Sequence, residues 1–163
     1  MTDPSREGRG SVPSGPMGDP RSFWSVLWSQ PPVPASRLSR YIVANGLLYL
    51  AIGACVYFLP TSMLEQAIQI PPMSPFEQGL LRAIGMTAAV VGWFYVIGGR
   101  TRSDSFALAT VVDRLLVPFV LLPLWLLGLG PPRLVLSFAI LDPVLALGAY
   151  AIWRNQEKRA SHA

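Results

Sequence analysis

The stretch FALATVVDRLLVPFVLLPLWLL, residues 106–127, decides the architecture of this chain. It is long enough to cross about 30 Å of hydrocarbon at about 1.5 Å per residue, yet it carries Asp113 and Arg114 in its interior. Charges at that depth are expensive unless they meet each other, backbone carbonyls or water, so the helix holding them must pack against others that supply partners. Three further apolar runs are available, at 41–59, 83–99 and 134–153, and the last carries Asp142 in its interior. The fold expected is therefore an all-α, four-helix transmembrane bundle with antiparallel, up-down topology, spanning residues 37–155.

Composition agrees. Of the 163 residues 52% are apolar and only 13% charged, and the mean hydropathy is +0.42, far from a soluble domain. The net charge of +4 does not suggest nucleic acid, because the arginines are distributed by loop and form no aromatic-interleaved basic patch. They read as an orientation signal. Arg37, Arg40, Arg100, Arg102, Arg154, Lys158 and Arg159 flank one side, against Arg82 and Arg133 on the other, which predicts both termini in the cytoplasm.

Residues 1–36 hold seven prolines and are expected to form an extended or disordered arm. Within it, residues 21–28 place Phe23, Trp24, Leu27 and Trp28 at helical spacing, which suits a short interfacial segment or a contact for a partner protein. The arm has no apolar signal-peptide region, so insertion is expected to be directed by the first span. Between the first two spans, residues 61–70 alternate as a short amphipathic helix, Pro71, Pro72 and Pro75 interrupt it, and Ser74 with Glu77 has the spacing of a capping box that would start the second span's helix. Residues 156–163 read as a cytoplasmic tail.

Gly46 and Gly53 in the first span, and Gly85, Gly92 and Gly99 in the second, recur at seven-residue intervals. Small residues in one stripe let helix backbones approach closely, so these read as packing faces between the two spans.

The residues with chemical potential are Asp113, Arg114 and Asp142. Asp113 and Asp142 lie about 10 Å and about 16 Å from the cytoplasmic ends of their spans. Neighbours on a helix point about 100° apart, so Asp113 and Arg114 cannot pair with each other through adjacency. Arg114 has the reach to meet Asp142, and Asp113 to be met by Arg40, Asn45 or Tyr95. Pro118, Pro123 and Pro143 leave the carbonyls of Arg114, Phe119 and Ala139 without helical donors in the same region. Such a cluster is either an ion-pair knot that locks helix register or a site for a ligand, proton or lipid headgroup.

Several chemistries lack residues. Cys55 is the only cysteine and His162 the only histidine, so neither a disulfide nor a haem or zinc ligand set can be assembled, and no metal site is expected. No phosphate-binding glycine loop or nucleophile elbow is present, and no catalytic residue is assigned.

Tyr41-x4-Gly46 with Phe58-Leu-Pro60, Arg82-Ala-Ile-Gly85-x6-Gly92-x2-Tyr95, the Arg100/Arg102 turn and Asp113-Arg114 together resemble the DoxX-like and related small four-helix bacterial membrane proteins. The resemblance covers about residues 38–155 and leaves out the arm. It implies a compact four-helix bundle in the bacterial cytoplasmic membrane, with some relatives near quinone-linked oxidoreductases, and transfers no catalytic residue. Two functions follow as expectations. One is an accessory or structural subunit that packs against lipid, another membrane protein or further copies of itself through the glycine stripes and the aromatic arm. The other is a quinone, lipid or proton site at Asp113, Arg114 and Asp142. A pocket open between spans beside those residues would favour the second, and a dry, fully bonded cluster the first.

Overall fold

The computed structural model describes residues 34–161, which form five helices: α1 (Arg37–Phe58), α2 (Thr61–Ile68), α3 (Pro75–Arg100), α4 (Asp104–Leu126) and α5 (Pro132–Ala160). No strand occurs among the described residues. The four long helices are each long and apolar enough to span a membrane. They form an all-α bundle, with α2 a short crossing piece between the first two spans. The aromatic segment with Phe23, Trp24, Leu27 and Trp28 lies outside the described residues.

Helix starts are written in local chemistry. Ser36 accepts from the Ser39 N–H at 3.0 Å and begins α1. Ser74 and Glu77 form a complete capping box, with Pro75 in the first turn of α3. Because backbone hydrogen bonding does not require apolar side chains, α3 starts well before the apolar run at 83–99. For the same reason α5 continues past 153 through Asn155, Gln156 and Glu157 and ends with Lys158 and Arg159 in its last turn, where cations complement the helix dipole. Gly128, at φ 68°, turns the chain out of α4 toward α5 in the left-handed conformation that glycine adopts without strain. Helix α4 runs through Pro118 and Pro123, and α5 through Pro143.

Packing is uneven in a way that positions the site. Helix α1 packs chiefly along α3, and α4 along α5, while contacts between these two pairs are sparser. The α1–α3 seam is glycine-lined. A Cβ built on Gly46 would lie 2.7 Å from the carbonyl oxygen of Gly92, and one on Gly92 would lie 2.6 Å from that of Gly46. Gly53, Gly85 and Gly99 sit in the same seam, against Ala89, Val56 and Val43 respectively. Backbones this close maximise dispersion contacts, which carry helix association where lipid removes the hydrophobic drive.

All four long helices meet at one end. The buried cluster of Leu38, Ile42, Tyr95, Ala107, Val111, Ala146 and Ala149 draws on the start of α1, the end of α3, the start of α4 and the later half of α5. This is the tail end of the bundle, and the opposite end carries α2. Toward the α2 end the two pairs part. A cleft of about 380 Å³ opens between them, and a groove of about 520 Å³ lies beside α2 and the Pro71-Pro72 loop, with Ile84 lining both. The loop is tied down by the Met73 N–H donating to Glu65 Oε1 at 2.8 Å and by Gln78 Nε2 donating to the Met73 carbonyl at 3.0 Å. The outer surface is apolar: Leu47, Phe94, Leu116, Phe119, Val120, Ile140 and Leu147 are all exposed. A water-facing surface of that kind would aggregate, and a lipid-facing one is solvated by acyl chains.

Candidate functional site

Two tyrosines from the first helix pair meet two aspartates from the second. Tyr95 Oη of α3 donates to Asp113 Oδ2 of α4 at 2.7 Å, and Tyr49 Oη of α1 donates to Asp142 Oδ1 of α5. The directions of the helices bring these groups together. Long side chains lean toward the N-terminus of their own helix, so Tyr95 leans away from the tail end and Asp113 leans toward it, and they meet although Asp113 starts deeper. Tyr49 and Asp142 converge by the same rule, with α1 and α5 running in opposite directions.

Arg114 sits between the tyrosines. Its guanidinium carbon is 4.6 Å from the Tyr95 ring centroid and 5.3 Å from that of Tyr49, and the two rings contact each other edge to face at 5.9 Å. The residue is 1% exposed, and none of its three guanidinium nitrogens has a hydrogen-bond partner among the described residues. Cation–π contacts of this kind contribute about 0.5 to 2 kcal/mol each and hold the planar cation where an ammonium would fit poorly. They replace only part of the hydration lost by a buried charge, so the remaining compensation comes from the field of the two carboxylates.

The hydrogen-bonded ion pair expected between Arg114 and Asp142 is absent. Asp142, 4% exposed, is engaged by Tyr49 instead, and the guanidinium of Arg114 lies over the Tyr95 and Tyr49 rings. Of the partners considered for Asp113, Tyr95 is the one that bonds it. Arg40 lies exposed in the first turn of α1, and Asn45 is buried one turn from Tyr49 with its Nδ2 unpartnered among the described residues. Tyr49 itself escaped the sequence reading. Its signal was a phenol in the middle of a span, away from the interfacial belts where tyrosine usually sits, whose hydroxyl at that depth has to find an acceptor.

The two aspartates differ in setting. Asp142 is buried, whereas Asp113 is exposed to the open space between the helix pairs. Both line the cleft with Tyr49 and Tyr95, and the remaining wall is largely apolar, from Ile84, Ala88 and Val91 of α3, Val117 of α4 and Phe138 of α5, with Thr87 as a further hydroxyl. The result is a concave, apolar chamber with a few convergent polar groups at one end and a volume in the range of small-ligand sites. Among the described residues no group of His, Cys, Asp and Glu is arranged to hold a metal ion. No family model, curated protein or solved structure matches the chain.

Proposed function

We propose that this chain is a multi-pass membrane protein that binds a small amphipathic molecule in the cleft between its two helix pairs, with Asp113, Tyr95, Tyr49 and Asp142 holding the polar end. The observation that carries the reading is the coincidence of the cleft with both intramembrane carboxylates. A knot that existed only to lock helix register would bury and bond all its members, yet Asp113 faces open space and Arg114 keeps unpaired donors. A quinone or lipid headgroup, or a proton, is the class of occupant this lining accommodates, and the groove beside α2 offers apolar surface for a tail, since Ile84 borders both spaces.

The accessory-subunit reading is weaker on the same grounds. The glycine stripes that would serve a partner helix are already filled by α1 and α3 against each other. We keep the resemblance to DoxX-like bacterial inner-membrane proteins as part of the proposal, together with the orientation that places both termini in the cytoplasm and the α2 end outside.

Purification from native membranes at low detergent tests the reading. The protein should carry a small molecule identifiable by mass spectrometry, and Ala88→Trp, which fills the cleft, should lose it while retaining its helical circular dichroism. A protein that comes away without any small molecule, accompanied instead by another membrane protein in both forms, would establish the accessory reading in its place.

A further inference from the structure

The charges in the middle of the bundle do not cancel. Arg114 supplies one cation against the two carboxylates of Asp113 and Asp142. Arg114 and Asp142 are both buried and both contact Tyr49, one over its ring and the other at its hydroxyl. One cation against two carboxylates leaves one negative charge in excess, and Asp113 is the carboxyl exposed to the cleft. It faces the cleft, Tyr95 Oη occupies its Oδ2, and no bond is formed at Oδ1 among the described residues. A carboxylate is poorly tolerated against walls of Ile84, Val91, Val117 and Phe138 without a counter-charge, which a cation in the cleft would supply.

We propose, on the reading of the cleft as a ligand site, that its occupant is a monovalent lipophilic organic cation, bound by ion pairing with the carboxylate of Asp113. The pairing is ionic, and no covalent bond is made or broken in the protein or the ligand. A metal cation suits the cleft less well, since hard ions require about six oxygen ligands and Asp113 and Tyr95 supply few. An organic ammonium or phosphonium needs one counter-charge and apolar walls. An anion is disfavoured because the guanidinium of Arg114 is screened by the two phenol rings, whereas the carboxyl of Asp113 is presented. The groups facing Asp113 from the surrounding helices are Tyr95 of α3, Tyr49 of α1, Asp142 of α5 and its own neighbour Arg114, and of these only the second carboxyl adds negative charge.

The test uses the full chain in lipid nanodiscs and two ions of matched size and opposite charge, tetraphenylphosphonium and tetraphenylborate. Tetraphenylphosphonium should bind at least tenfold more tightly than tetraphenylborate. Asp113→Asn should weaken tetraphenylphosphonium binding at least tenfold, Asp113→Glu should restore it, and the loop variant Asp104→Asn should match the wild type. Circular dichroism confirms that each variant is folded. Equal binding by wild type and Asp113→Asn, or preference for tetraphenylborate, would each overturn the cation inference. Tetraphenylborate binding that disappears in Ala88→Trp would do so while leaving the cleft as a ligand site. If neither ion binds, the cation inference falls, and the native-membrane purification decides the cleft reading by itself.

Discussion

Tyr49 and Asp142 are separated by 93 positions in sequence and joined by a hydrogen bond between α1 and α5, each from a different helix pair. Tyr95 and Asp113 make the corresponding bond between α3 and α4. These two bonds, with Arg114 between the rings, bridge the pairs at the depth where they begin to part. The polar cluster is thus both the floor of the cleft and the link across it, and its stability and its chemistry are carried by the same atoms.

The two phenols should not be equivalent. Tyr49→Phe leaves the buried Asp142 without its donor and should cost about 2 to 3 kcal/mol, because an unsatisfied charged acceptor pays its full desolvation penalty. Tyr95→Phe removes the same kind of bond from a carboxyl that faces open space and should cost about 1 kcal/mol or less. Denaturant or thermal unfolding in a mild detergent measures the difference, and equal losses would show that the cleft offers Asp113 no alternative solvation.

Asp142→Asn and Arg114→Met should each destabilise the bundle by about 3 to 5 kcal/mol, since either change strands the opposite charge in the interior. Asp104→Asn, at the exposed start of α4, should stay within about 0.5 kcal/mol. Combining Arg114→Met with Asp142→Leu should recover much of the loss, because the two charges leave together. A double variant as unstable as the sum of its parts would mean that Arg114 answers mainly to Asp113.

Gly92→Leu should cost about 3 kcal/mol or more, as even its first side-chain atom would lie 2.6 Å from the backbone nitrogen of Leu50, which cannot move aside. Gly79→Ala, on the same helix with open space around it, should be neutral or stabilise by up to about 1 kcal/mol through helix propensity. Unfolding midpoints of the two variants compare them directly.

Orientation is testable with single cysteines in a Cys55→Ala background. A cysteine at Gln66 on α2 should react with an impermeant thiol reagent added outside intact cells, and one at Ser103 in the α3–α4 turn only after lysis. The reverse pattern would place the α2 end and the mouth of the cleft in the cytoplasm.

By itself the sequence determined the number and kind of helices, the cap at Ser74 and Glu77, and the identity of the ionisable residues that must be hidden. These are local properties: run length, turn-by-turn hydrogen bonding and residue charge are readable from neighbours in the chain. The tertiary structure alone decided that Tyr49 holds Asp142, that Arg114 rests on two rings instead of an aspartate, and that the helix pairs part toward α2. Each depends on distances between helices. Those distances follow from how closely the Gly46–Gly92 seam lets α1 and α3 approach, and from how much smaller the common core is at the other seams, balances that no single stretch of chain contains.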